Sequence, residues 1–272
     1  MKKISDLDNL NDEIKFSLKK VGINKTKNIF ITSNLKEMSK IKLKKNQKLE
    51  ALYESIVSLA GENFSLFSPA ATLELCNTKE TFDIKNTKTT MGSFAEFLRK
   101  KSGSVRSLHP YWSINGLGKL SKNLKKVSTH SYGVGSPWSV MLDNDFIQLN
   151  IGINPERAVT LIHHIECVCG APYRFNKEFI HKVKLEKKIY EKKFYMSVSY
   201  KNTNIKKKYQ LNKHYFKELK NKKKLKYFKS KNGIEFWSFK MRDFYDVSKN
   251  FFIKNINNYL EFPPNLNLQN KL

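Results

Sequence analysis

Apolar positions along this chain change period from segment to segment, and the changes mark its elements. Leu7, Leu10, Ile14, Phe16 and Leu18 fall roughly on one helical face and predict a helix over 7–20. Asn28–Thr32 (NIFIT) reads as a short apolar strand. Over 46–60, Leu49, Leu52, Tyr53, Ile56, Val57 and Leu59 recur at three- and four-residue steps, which predicts an amphipathic helix. Further strands are predicted at 64–67, 146–151, 194–200 and 233–239. Further helices are predicted at 93–101, 136–143, 158–169, 215–226 and 244–260. The helix at 158–169 stops at Gly170-Ala171-Pro172. Strand and helix alternate, so the pattern predicts an α/β protein around a central, at least partly parallel sheet.

No internal repeat and no Gly/Ser- or Pro-rich linker interrupts the 272 residues, so 1–272 is expected to form a single domain. No run of about 18 apolar residues occurs, and the N-terminal MKKISDLDNLNDEIKF lacks an apolar signal core. Three cysteines, Cys76, Cys167 and Cys169, are too few for a disulfide framework and fit a reducing cytoplasm.

Charge changes the picture more. The chain carries 51 basic and 24 acidic residues, a net +27. Residues 171–272 account for +18 and residues 1–170 for +9, while most glycines and all cysteines lie in the first part. A surplus of this size points to a polyanion. Yet 46 of the 51 are lysines and five are arginines, whereas specific phosphate and base readers favour arginine. Lysine together with abundant Asn, Ile and Phe is what AT-rich coding drifts toward, which makes the five arginines the more informative cations.

Three segments carry chemistry. In Thr160-Leu161-Ile162-His163-His164-Ile165-Glu166, His163 and Glu166 share a helical face directly after a strand and a Pro-containing turn. A carboxylate accepting the Nδ1 proton of an imidazole fixes its tautomer and frees the other nitrogen as a base. The same spacing also suits a core histidine beside a surface acid. A metal site from His163, His164 and Cys167 lacks further ligands at a recognisable spacing, so no metal is expected. Second, Arg106-Ser107-Leu108-His109-Pro110-Tyr111-Trp112-Ser113 is polar and aperiodic, as either a ligand loop or a hydrogen-bonded turn would be. Third, Gly133-Val134-Gly135-Ser136-Pro137 allows close backbone approach but is no dinucleotide fingerprint. Neither a Walker A sequence nor a G-x-S-x-G elbow occurs.

The order of these segments resembles the aminoglycoside 3-N-acetyltransferase family. The strand ending Ile31-Thr32-Ser33-Asn34-Leu35 comes first, then Phe64–Pro69. Phe82-Asp83 and Thr87-Lys88-Thr89-Thr90-Met91-Gly92 are similar to the family's F-D…T-P-S-x-M-G segment. Arg106-Ser107-Leu108-His109-Pro110 with Ser113 is similar to R-S-x-H-P-x-x-S, Gly135-Ser136-Pro137 to G-S-P, and Thr160 to Glu166 to T-x-x-H-x-x-E. Departures are Val159 before the last motif, Lys88 and Thr89 in the T-P-S segment, and Trp112 where a second histidine is common. The resemblance is good over about 20–180 and loose beyond.

The resemblance implies a three-layer α/β/α sandwich around a mixed, partly parallel sheet, and acetyl transfer from acetyl-CoA to an amine. His163 would be the general base and Glu166 its orienting partner. Thr32, Ser33, Thr89, Arg106, Ser107 and Thr160 would line the acetyl-CoA site; Asp83, His109, Trp112 and Ser113 would meet the substrate. Residues 1–170 would carry the catalytic and CoA motifs, and the basic 171–272 would contribute to acceptor binding, in a protein that could pair as a homodimer. Direct transfer is expected, with a ping-pong route through Cys167 as the competing mechanism. Aminoglycosides are polycations, so the +27 charge favours an anionic acceptor: a nucleotide-linked amino sugar, or one destined for a surface polysaccharide. The alternatives are an aminoglycoside acceptor and, from another class, a basic nucleic-acid-binding protein suggested by the lysine–aromatic interleaving of 209–228.

Overall fold

A computed structural model of the chain describes residues 6–200, 208–257 and 260. Its centre is a seven-stranded mixed sheet in the order β4-β5-β2-β1-β6-β10-β9. The strands are β1 (Asn28–Ser33), β2 (Ser65–Pro69), β4 (Val105–Arg106), β5 (Ile114–Gly118), β6 (Ile147–Ile151), β9 (Lys226–Lys229) and β10 (Glu235–Lys240). β1 runs parallel to both β2 and β6, and the outer strands pair antiparallel.

Alternation along these strands builds two cores. Ile29, Ile31, Leu66, Leu149, Ile151 and Phe236 pack against α1 (Asp6–Lys20), α2 (Lys45–Ala60) and α3 (Ser93–Lys100). On the other face, Phe30, Phe67 and Phe239 meet α4 (Pro137–Asp143), α6 (Leu161–Val168), α7 (Lys208–Asn221) and α8 (Met241–Lys254). This is the expected α/β/α sandwich around a partly parallel sheet. Gly116 makes room for the second core: a Cβ there would lie 2.6 Å from the Phe67 ring. No helix among the described residues is long and apolar enough to cross a membrane.

Three expectations are corrected. The helix predicted over 158–169 is two pieces, α5 (Pro155–Ala158) and α6, broken where Val159 takes an extended conformation (φ −84°, ψ 90°). His163 therefore lies in the first turn of α6, its N–H bonded to the Thr160 carbonyl. The helix predicted over 215–226 ends at Asn221: Lys223 adopts φ 55°, the Lys224 N–H bonds back to Leu219 O, and the chain leaves as β9. The strand predicted at 194–200 is half of a long hairpin, β7 (Arg174–Leu185) with β8 (Lys188–Ser199). With β3 (Phe82–Asp83) it forms a second sheet over a small core of Leu75, Phe82, Tyr111, Val183 and Phe194.

Candidate active site

The site grows from the carboxyl edge of the central sheet, where open α/β sheets place their ligands. β6 ends at Ile151 and the chain turns at Gly152, whose φ is +66° and whose Cβ would sit 2.0 Å from the Asn34 carbonyl. Only glycine fits that close approach. Asn154 then caps α5 by accepting the Glu156 N–H (2.8 Å), and Thr160 opens α6.

One helical turn brings His163 and Glu166 together: Nδ1 lies 2.6 Å from Oε2. Glu166 is fully buried and His163 is 7% exposed. The Tyr173 hydroxyl donates to Glu166 Oε1 (3.1 Å). Arg174, the first residue of β7, places Nε 2.6 Å from Glu166 Oε2 and Nη2 2.8 Å from His163 Nδ1. Its Nη1 donates to Ser197 O across the hairpin (3.2 Å). Burial alone would raise the Glu166 pKa, but the neighbouring His163, Arg174 and Tyr173 overcome it and hold the carboxyl below its ordinary value. Tyr132 stands edge-on to the His163 ring at 5.6 Å, its phenol pushed well up by burial, and Trp112 stands edge-on to Tyr132 at 6.1 Å.

Thr32 and Asn150 are register partners on β1 and β6, on the α6 face. Thr32 Oγ1 and Asn150 Nδ2 are buried with no hydrogen-bond partner among the described residues. Such orphaned groups are costly unless something else satisfies them. Ser33, the next residue, lines a cavity of about 590 Å³ with Asn34, Lys36, Lys45, Met91 and Gly92.

The other predicted residues turn inward. Thr89 donates to Ala71 O (2.8 Å) and accepts the Met91 N–H (3.2 Å), which fixes the loop bearing Met91. Arg106 is 5% exposed; it donates to Ser113 Oγ (2.9 Å), Thr87 O (2.6 Å) and Ala70 O (2.5 Å). Burial, then the charge of Arg99, pushes its pKa down to about 9. Ser107 Oγ accepts the Ile114 N–H (2.9 Å), and Ser113 Oγ donates to Ala70 O (2.8 Å). His109 accepts the Trp112 N–H (3.0 Å) and Tyr111 N–H (3.3 Å) at Nδ1, and burial holds its pKa down to about 4. The Arg106–Ser113 loop is thus a hydrogen-bonded connection between β4 and β5.

Asp83 is not brought to the dyad. It pairs in register with Lys184, ten residues along β7 from Arg174 and roughly 30 Å away by the rise of a strand. There it caps a turn by accepting the Lys85 and Asn86 N–H groups. Burial opposes its ionisation, but bonds from Asn86, Lys184 and Lys85 bring its pKa down to about 2. On the far side of α6, His164 accepts the Gly133 N–H (3.2 Å) at Nδ1, and burial lowers its pKa to about 4. Cys167 is half-buried and burial raises its thiol pKa, the wrong direction for a thiolate nucleophile.

Arg174, Tyr173 and Tyr132 were not singled out from the sequence. The scarcity of arginine was the available signal for the first of them.

A family model for aminoglycoside 3-N-acetyltransferase matches residues 30–252, most of the chain and all the elements that build the dyad. The chain belongs to that family. It is thereby an acetyl-CoA-dependent acetyltransferase by family. Solved structures of similar fold include aminoglycoside acetyltransferase AAC(3)-Xa, with a TM-score of 0.76 at 14% identity over 93% of this chain and 94% of that one. AAC-IIIb in a binary complex with CoASH has a TM-score of 0.74 at 15% identity, covering 93% and 98%. AAC-VIa bound to sisomicin has a TM-score of 0.73 at 14% identity, covering 89% and 96%. At these identities the likeness establishes the fold of the acetyltransferases. No curated protein sequence matches the chain.

Proposed function

We propose that the protein transfers the acetyl group of acetyl-CoA to an amine of an aminoglycoside, with His163 as general base and Glu166 as its orienting partner. The observation that carries this reading is the 2.6 Å contact of His163 Nδ1 with a buried, ionised Glu166 at the sheet's carboxyl edge, in a chain of this family. With Nδ1–H held on the carboxylate, Nε2 bears the free lone pair. A sugar ammonium must lose a proton before its nitrogen can attack. Nε2 takes that proton, directly or through one water, and releases it to solvent. As the neutral nitrogen adds to the thioester carbonyl it sheds a second proton to Nε2; the tetrahedral intermediate then collapses, the C–S bond breaks, and the imidazolium returns that proton to the leaving thiolate, giving amide and thiol. Holding both reactants on one edge supplies proximity, and no covalent enzyme intermediate is needed.

The cavity beside Ser33 suits the cofactor. Lys36 and Lys45 offer cations to its phosphates, and Gly92, at φ +99°, opens the amino end of α3. Thr32 and Thr160 lie toward the dyad, where Thr32 Oγ1 offers an unused donor for the pantetheine arm or the oxyanion. Thr89, Arg106 and Ser107 act in this reading by bracing the wall of the site. His109 and Ser113 do the same, and Trp112 stands beside Tyr132 as a flank for the acceptor. The C-terminal part contributes Tyr173 and Arg174.

The family and the sisomicin complex of AAC-VIa favour an aminoglycoside over the anionic acceptor expected from net charge. Net charge is a sum over the whole surface and does not report the local field at one amine. Thiol release from acetyl-CoA over a panel of aminoglycosides and nucleotide-linked amino sugars tests the proposal. Release with the antibiotics, lowered about 10²–10⁴-fold in His163→Ala, is the expected result. Clear preference for the nucleotide-linked sugars would overturn the acceptor, and unchanged rates in His163→Ala would overturn the base.

A further inference from the structure

A carboxylate 2.6 Å from Nδ1 raises the basicity of the imidazole and so favours its protonated form. An imidazole in that state cannot accept the amine proton. The dyad alone therefore explains how His163 is oriented and does not explain how it stays a base.

Arg174 supplies what is missing. Its guanidinium contacts both members of the pair, at 2.6 Å from Glu166 Oε2 and 2.8 Å from His163 Nδ1. Its side chain is 13% exposed. The backbone holds it in place: its N–H bonds to Ala171 O, it pairs in register with Ser199, and Nη1 reaches Ser197 O. The guanidinium sets a positive charge against both. Glu166 from α6 and Arg174 from the start of β7 contact the ring at Nδ1, Tyr132 from the loop before α4 stands edge-on to it, and Tyr173 and the neutral thiol of Cys167 lie beside Glu166. The Tyr132 phenol stays neutral, so the charged groups that these contacts place at the imidazole are Glu166 and Arg174.

We propose that Arg174 is a positioning residue that keeps His163 in its neutral, proton-accepting form, by neutralising Glu166 and setting a fixed positive charge against the imidazole. Nδ1 cannot donate to Glu166 and accept from Arg174 at once; in the proposal Nδ1–H goes to Glu166, and Arg174, an ion-pair contact of Oε2 whose Nη1 is anchored on Ser197 O, acts through its charge. The lone pair then stays on Nε2. This inference rests on His163 being the base.

The experiment is the pH dependence of kcat/KM for acetyl transfer to sisomicin in wild type, Arg174→Gln and Arg174→Lys. Any limb due to the acceptor's own amines is common to all three. In Arg174→Gln the acid limb moves up by about one pH unit or more, so activity is about tenfold lower near neutrality and recovers in alkali. Arg174→Lys keeps the wild-type limb. A loss uniform across pH, equal in both variants, would mean that Arg174 only packs and would overturn the proposal. Should Arg174→Gln fail to fold, histidine-labelled NMR of the wild type, with His163→Ala assigning the resonance, decides it. His163 neutral at pH 7 supports the proposal and His163 cationic at pH 7 overturns it. Undiminished activity in His163→Ala would instead sink the underlying reading, whatever Arg174→Gln shows.

Discussion

Replacing Glu166 by Gln separates the carboxylate's charge from its volume. Glu166 is fully buried, meets Nδ1 of His163, accepts from the Tyr173 hydroxyl and pairs with the Arg174 guanidinium. Glu166→Ala would leave a guanidinium uncompensated beside an imidazole, at a cost of about 3–5 kcal/mol. Glu166→Gln keeps the shape and one acceptor oxygen, so the loss falls to the difference between charged and neutral hydrogen bonds, about 1–3 kcal/mol. The variant is expected to fold. Its imidazole, however, has lost the carboxylate that selects the Nδ1–H tautomer, while Arg174 stays close by with its charge unbalanced. The rate constant for acetyl transfer should fall about 10²–10⁴-fold in a thiol-release assay, with KM for acetyl-CoA little changed.

The same variant tests the ionisation. The folded-state pKa of Glu166 lies below its ordinary 4.5, so the unfolded chain binds the proton more readily. The stabilisation is fully present above about pH 4.5 and is lost as pH falls through the lower, folded value. Urea unfolding should show this acid loss in wild type and its absence in Glu166→Gln. A Gln variant with wild-type kcat would refute the orienting role, and identical acid limbs would refute the buried carboxylate's ionisation.

Three further perturbations probe the surrounding frame. His109 is neutral in the fold, with a pKa of about 4 against an ordinary 6.5, so stability should drop as pH falls from 6.5 toward 4. In His109→Phe the Tyr111 and Trp112 N–H groups lose their acceptor, which should cost about 2–4 kcal/mol in urea melts and shrink that pH-dependent loss; His164 and His181 sustain the remainder. Arg106→Lys loses the three-way fork to Ala70, Thr87 and Ser113 and should lower stability by about 2–4 kcal/mol, with KM for acetyl-CoA within about threefold of wild type. A large KM rise at unchanged stability would instead put that guanidinium on the cofactor. Gly152→Ala must hold φ +66° with its Cβ against Asn34 O; a loss of about 2 kcal/mol or more is expected, and a thermal midpoint equal to wild type would show that the β1–β6 edge is looser than described.

The parts of this structure that were legible in the sequence are local. The α2 helix shows its buried stripe directly, and the parallel core strands β1, β2 and β6 are short apolar runs. His163 and Glu166 are one helical turn apart, so their contact follows from spacing once a helix is assumed. What failed to show depends on chain reversal or on masked alternation. In β7, Phe175, Phe179, His181 and Val183 alternate as a strand should, but Ile180 stands 61% exposed on the opposite row and lysines occur on both, which blurs the period. Without that strand there was no reason to bring Arg174 back to α6.

The polar loop over 106–113 carries a more general lesson. A ligand site and a tight buried hairpin both demand Arg, Ser and His in a segment without apolar periodicity, because both must satisfy backbone groups removed from water. Composition cannot separate the two cases, but hydrogen-bond completeness can. Arg106, Ser107, His109 and Ser113 all point at carbonyls, N–H groups or one another within the chain. Thr32 Oγ1 and Asn150 Nδ2, on adjacent strands facing α6, do not. Trp112 Nε1, in the 106–113 loop, also lacks a partner among the described residues, but Thr32 and Asn150 lie in register at the sheet's carboxyl edge, where an incoming polar group would be accommodated. On that ground the proposed reaction sets the thioester over the ends of β1 and β6, with Thr32 as a contact and Arg106 as support.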